Sequence, residues 1–383
     1  MYGKIFSCMA TLVVLSALAG TCLAHHGFGL FQMDIDREWS GTLTKVDIVN
    51  PHSYMYFDSV DADENVQPMR CEMRAATLIR RMGWTTDMFV TGANVEITGH
   101  PHRDDPGACF LRTFALNEEV EIDRYQQISS ESPVDTSDRP MRLVSGEPNI
   151  SGDWAQEQTI LTDPPSGGDA IRVPRSLIPA FTRGEISVAQ IRAMYPPRPT
   201  PIYTEAGRAA AENFEMWNPE HNPRLQCQPT SIIFDWTFDW PVNRFTQTTL
   251  NVEKAIDIDY GLYGLSRTIH LGMQRHPDNF EPSRQGHSIG KWEGDTLVVD
   301  TVGFVPGVLV APTLNSDQLR VIENFSLETD NVTGILQLKR EYTAMDPVYL
   351  AESYQGVDVM TLSRVPFESQ PCIELTPEFI DQP

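Results

Sequence analysis

The chain has 383 residues, more than one typical domain, and 41% hydrophobic against 21% charged residues leaves ample material for packed cores. A formal charge of −23 argues against nucleic acid and anionic lipid as partners, because both need a basic face. The same acidity serves solubility through self-repulsion.

Residues 1–24 read as a secretory signal. Lys4 is the basic end, CMATLVVLSALAG is an apolar run short for a bilayer span, and Ala24 is the small residue a signal peptidase needs. The rival is a lipoprotein signal using Cys22, for which the preceding Thr21 is a poor fit. No later run is long and apolar enough to cross a membrane, so the expected location is periplasmic or secreted. Of six cysteines, Cys8 and Cys22 leave with the signal, and Cys71, Cys109, Cys227 and Cys372 remain. An even count in an exported chain points to disulfides, with three pairings open. The domain layout favours Cys71–Cys109 and Cys227–Cys372. No CxxC is present, so a zinc or redox site is not expected.

Residues 25–123 are expected to form a small OB-like barrel. REWSGTLTKVDIV and SYMYFDSV alternate as strands around an NPH turn, and VQPMRCEM supplies a third strand. RAATLIRRMGW is a short helix with Ala76, Ile79 and Met82 on one face and Gly83 as its stop. ANVEITGHP and ACFLRTFAL add two strands, completing the order of an OB-type barrel.

A polar stretch over 124–148, QQISSESPVDTSDRP at its centre, reads as a linker. Residues 149–383 are expected to form a larger antiparallel β-barrel-like domain with a helix and long loops, giving an all-β chain. Thr204 caps the helix TEAGRAAAENFEMW, with Glu205 in its first turn. His221 and His276 fall in Pro-rich loops and are expected to be exposed. IIFDWTFDW reads as a strand with Phe234, Trp236, Phe238 and Trp240 on one face and Asp235 and Asp239 on the other, facing water, or standing as acid/base candidates if that face is the interior. Four aromatics on one face fit either a core or a barrel lining that stacks on a small-molecule ligand. Further strands are expected near 246–258, 266–271, 287–292, 296–302, 318–327 and 335–343.

Two motif sets carry resemblances. AHHGFGLF, GTLTKVDIVNPHSYMYFD and LIRRMGW resemble a bacterial exported domain of unknown function, whose members commonly open with His-His after the signal and carry an Asn-Pro-His turn. CQP, RTIHLG, PSRQGHSIGKWEGDTLVVDTVGF and QLRVIENF are similar to a second, mostly uncharacterised exported group marked by its Trp-Glu-Gly-Asp-Thr string. Relatives of that group often have histidine where Asn315 stands, which weakens any metal site there. Neither resemblance brings a known reaction.

HSIGKWEGDTLVVDTV carries the chemistry of the larger domain. Gly294-Asp295 is a two-residue hairpin turn that pairs Glu293 with Thr296, Trp292 with Leu297, Ile289 with Asp300 and His287 with Val302. His287 and Asp300 then share a face as diagonal neighbours within side-chain reach. A carboxylate beside an imidazole is what a general base requires. Glu323 and His270 are candidate partners, and Arg267 a holder of an anionic substrate group. Trp292 either packs the core or stacks on the ligand. The competing reading is a solvated, salt-bridged strand pair.

Cleavage after Ala24 would expose the α-amine of His25 beside its imidazole, a copper chelate that His52 would complete, with His100 and His102 as other donors. Otherwise no cofactor is expected. Three readings therefore stand: an exported binder of, or acid/base enzyme on, a small organic molecule (lyase, isomerase or hydrolase type); a copper-binding protein; and a non-catalytic envelope interaction module.

Overall fold

In a computed structural model, the described residues are 30–50, 52–61, 63–117, 119–128, 134–160, 172–194, 198–216, 218, 220–226, 228–236, 241–248, 254–331 and 333–368. They build two barrels. The first comprises β1 (Arg37–Asp47), β2 (Tyr54–Val60), β3 (Val66–Glu72), helix α1 (Ala76–Arg81), β4 (Asn94–Pro101) and β5 (Ala108–Leu116), with the short β6 (Ile122–Asp123) on its edge. The sheet order β3-β2-β1-β4-β5-β6 closes through a further β3–β5 pairing. That is the expected OB-like closure, with the helix between the third and fourth strands.

The β3–β5 seam is parallel and places Cys71 opposite Cys109, where the expected disulfide joins them. Apolar residues at alternate positions, among them Leu43, Met55, Phe57, Val95, Ile97 and Phe114, fill this barrel. Helix α1 buries Ala76, Ile79 and Met82 as its spacing predicts, and Gly83 follows with a positive φ of 82°. Asn50 ties the β1–β2 turn to the helix: its Nδ2 donates to Thr77 Oγ1 at 3.1 Å, and Thr77 N donates to its Oδ1 at 3.3 Å. Arg81, 1% exposed, donates from Nη2 to the backbone oxygen of Gln156 at 2.9 Å, joining the two barrels.

The second region begins with β7 (Gly152–Gln156), β8 (Gln158–Ile160) and β9 (Arg172–Pro174), then α2 (Ile178–Thr182), α3 (Val188–Met194) and α4 (Glu205–Glu212). Thr204 caps α4 as expected, its hydroxyl accepting from Gly207 N at 3.0 Å. The strands continue as β10 (Val242–Thr248), β11 (Ala255–Asp259), β12 (Ser266–His270), β13 (His287–Glu293) and β14 (Thr296–Val302). They end with β15 (Gly307–Val310), β16 (Thr313–Asn315), β17 (Arg320–Thr329), β18 (Leu336–Met345) and β19 (Tyr354–Leu362). Nine of them close a barrel in the order β10-β11-β12-β13-β14-β17-β18-β19-β7.

The structure departs from the expectations at five points here. The barrel is mixed, because β12 and β13 run parallel. Its first and last strands, β7 and β19, carried no strand assignment in the sequence, and the run near 246–258 divides into β10 and β11 with 249–253 outside the described residues. The stretch 232–236 is a turn, with Asp235 N donating back to Ser231 O at 3.0 Å. Asp235, expected in water, is fully buried. Its carboxylate accepts from Thr230 N at 2.7 Å, Thr230 Oγ1 at 2.5 Å and Arg224 Nη2 at 2.9 Å. A short polar residue that bonds its own neighbouring backbone favours such turns over strands, and that local preference overrides the alternation.

Candidate functional site

The hairpin forms in the expected register, with Glu293 opposite Thr296, Ile289 opposite Asp300 and His287 opposite Val302. Gly294 takes the positive φ, 61°, that its tight turn needs. His287 and Asp300 therefore share a face, and it is the outer one: Ser288, Leu297, Val299 and Thr301 point inward and are buried.

The parallel pairing of β12 and β13 decides what lies on that wall. A parallel pair needs a crossover connection, and residues 271–286 supply it, bringing His276 and Phe280 over the strands. The His287 ring is held between His270 (centroids 5.2 Å apart, planes at 15°) and Phe280 (5.3 Å, 24°). His276 meets it edge-on, with the two Nδ1 atoms 2.9 Å apart. Nε2 of His276 is buried, without a hydrogen-bond partner, and 3.6 Å from Oδ2 of Asp300. Arg320 donates to both oxygens of Asp300, at 2.9 and 2.7 Å. Gly303 makes the stack possible: a Cβ there would lie 1.9 Å from Phe280 Cε2.

The tautomers follow from these neighbours. The Asp300 carboxylate favours the proton of His276 on Nε2, so its Nδ1 bears a lone pair and accepts from Nδ1–H of His287. The basic atom of His287 is then Nε2. Burial lowers the pKa of His287 below its ordinary 6.5, and His270 and His276 lower it further. Because unfolding restores the ordinary value, the unfolded chain binds more protons below about pH 6.5. The contribution of His287 to stability is complete above that pH and is lost as pH falls through the depressed folded value. Urea denaturation between pH 7.5 and 5 will show this decline, and His287→Gln will flatten it.

His276, expected to be exposed, is only 16% exposed in its side chain and is the residue that the sequence reading missed. Its one signal was the His-Pro pair eleven residues before His287, and only the crossover gives that spacing meaning. Glu323 and Arg267 lie on the other side of the wall. Strand β17 pairs Ile322 with Asp300 and Glu323 with Val299, so alternation sends Glu323 into the barrel. There it accepts from Arg267 Nη1 and Nη2 at 2.6 and 2.8 Å. Arg267 is thus engaged and 1% exposed in its side chain, which corrects the expected substrate-holding role.

This pair starts a buried chain of charges that the sequence reading also missed. Arg340 donates from Nη1 to Glu323 Oε1 at 3.3 Å and to Ile232 O at 2.8 Å, and from Nε to Asp358 Oδ2 at 3.1 Å. Arg198 reaches Asp358 from outside the strands. Burial alone would raise the Asp358 carboxyl, but Arg198 and Arg340 outweigh it and hold the group below the usual carboxylate range. Trp236 is fully buried under the Arg340 guanidinium (4.4 Å), against Phe245, Tyr260 and Phe325. It is core, and not a ligand platform. Trp292 packs against the same core from a partly buried position.

In the first barrel, His52 Nδ1 lies 2.8 Å from Glu72 Oε1. His25, Phe238, Trp240, Cys227 and Cys372 lie outside the described residues. Among the described residues, no group of three or more His, Cys, Asp or Glu side chains is arranged to hold a metal ion. No helix among them is long and apolar enough to cross a membrane.

Residues 13–109 match DUF6152, a family of unknown function. The match covers the stretch that builds the first barrel as far as the start of β5, including the His-His pair and the Asn-Pro-His turn. No curated protein and no solved structure matches the chain.

Proposed function

We propose that this protein works outside the cytoplasm and acts on a small organic molecule at the outer wall of its larger barrel, with His287 as general base. The observation that supports this reading is the contact between His276 and His287 at 2.9 Å, set between His270 and Phe280 and backed by Asp300. His287 is the catalytic residue, presenting Nε2. His276 and Asp300 are positioning residues that hold the tautomer. His270 fixes the ring plane from below, and its charge when protonated would keep His287 deprotonated. The depressed pKa leaves His287 neutral near pH 7, the state a base needs. Proton abstraction of this kind serves lyase, isomerase and hydrolase chemistry alike.

The test is a screen of the mature protein against panels of small esters, lactones, enolisable ketones and hydroxy acids, with ligand-detected NMR alongside the activity assays. The expected result is at least one turned-over compound, with turnover falling about 10²–10⁴-fold in His287→Gln. His276→Ala should lower the rate and shift the acidic limb of its pH profile. Turnover that survives His287→Gln unchanged, or a full panel with neither binding nor turnover, would overturn the reading.

A further inference from the structure

We infer that the larger barrel binds a small carboxylate with an O–H or N–H donor on the next carbon, as in 2-hydroxy and 2-amino acids, in a notch at Gly307 between Arg284 and Asn315. The inference concerns binding and does not rest on His287 acting as a base.

Gly307 opens the β15–β16 hairpin, where its register partner is Asn315. A Cβ built on Gly307 would lie 3.6 Å from Asn315 Oδ1 and 3.7 Å from Arg284 Nη1, both ordinary contact distances. Without that methyl, a carboxamide oxygen and a guanidinium nitrogen face each other across a gap that one small molecule spans. Backbone conformation does not call for glycine here, because the φ of Gly307 is not positive.

Asn315 is 4% exposed and held in one orientation. Its Nδ2 donates to Val305 O at 2.9 Å and to Ser316 O at 3.1 Å. Both acceptors are carbonyls, so the amide cannot be turned over and Oδ1 stays toward Gly307. Among the described residues, none donates to that oxygen. The oxygen is not sealed from solvent, so a ligand can reach it. The next residue is anchored as firmly: Ser316 N and Oγ donate to the buried carboxylate of Asp346 at 2.6 and 2.9 Å.

Arg284 supplies the charge. The preceding residue, Ser283, donates from N to Gly303 O and accepts at O from Val305 N, both at 3.0 Å, which fixes the end of the crossover against residues 303–305. The Arg284 side chain is half-buried, yet among the described residues it has no carboxylate, carbonyl or aromatic partner. Other described arginines without a partner, Arg37, Arg192, Arg208 and Arg275, are exposed to water. In a chain of charge −23, a half-buried guanidinium without a counter-charge is free to hold an anion. Its N–H groups donate to the ligand's carboxylate, and the neighbouring hydroxyl or amine donates to Asn315 Oδ1.

The test titrates the full chain with lactate, alanine, propionate, lactamide and inorganic phosphate, followed by ligand-detected NMR. We expect lactate or alanine to bind, and whichever binds identifies the donor. Propionate lacks the donor and lactamide lacks the charge, so each should bind at least about 10-fold more weakly. Arg284→Gln should weaken binding about 10–100-fold and leave the urea midpoint unchanged, because the side chain has no polar contact to lose. Gly307→Ala, whose methyl fills the notch, should weaken it as much, with the fold intact by circular dichroism. No binding of lactate or alanine, affinity unchanged in Arg284→Gln or Gly307→Ala, or propionate or phosphate bound as tightly would each overturn the proposal.

Discussion

Glu323→Gln will destabilise the larger barrel by about 3–5 kcal/mol, the loss expected when one partner of a buried ion pair is removed and the other charge is left behind. Glu323 is fully buried and accepts from both Arg267 and Arg340. With a neutral amide in its place, Arg267 has no counter-charge within the described interior, and its Nε is already without a partner. The pair need not be stabilising relative to an apolar substitute. The double variant Arg267→Met/Glu323→Leu should recover most of the loss, because it removes both desolvation penalties together. Urea denaturation followed by the fluorescence of buried Trp236 distinguishes these outcomes. Equal midpoints for the wild type and Glu323→Gln would mean that the pair carries none of the barrel's stability.

Opening the Cys71–Cys109 bridge is expected to have a similar effect on the first barrel. The cross-link closes a loop spanning 38 residues in sequence, which chain-entropy arguments value at about 4 kcal/mol. It sits on the parallel β3–β5 seam that closes the barrel. The Cys71→Ala/Cys109→Ala double variant should therefore lose protection in hydrogen exchange across β3 and β5 first, with the larger barrel unaffected. Uniform exchange in both barrels would show that the seam is not the weak point. Because Glu72 follows Cys71, the same variant should loosen its contact with His52.

Much of the fold was legible because its signals are local. The alternation of Leu43, Met55, Phe57, Val95 and Ile97, the stop at Gly83 and the Gly294-Asp295 turn need only nearest neighbours to act. The hairpin register from Glu293–Thr296 to His287–Val302 followed from that turn alone. The reading failed where a residue's fate depends on a distant partner. Asp235 looks solvated in the alternating run, yet Arg224 and Thr230 draw it inward. Arg340 and Asp358 look like ordinary surface charges until alternation places them inside a closed wall.

The sequence by itself determined the alternating strands and turns of the two β regions and the common face of His287 and Asp300, because turns and period-two alternation act over a few residues; the domain layout only favoured Cys71–Cys109 among three open pairings, and the parallel β3–β5 seam settles it. Only the tertiary structure decided that this face is the outer one, that Glu323 and Arg267 belong to the interior, and that His276 joins His270 and His287. Inside and outside are defined by closure of the nine strands, and the crossover between parallel β12 and β13 brings His276 to the wall. Both are properties of long-range pairing, which no short window of the chain encodes.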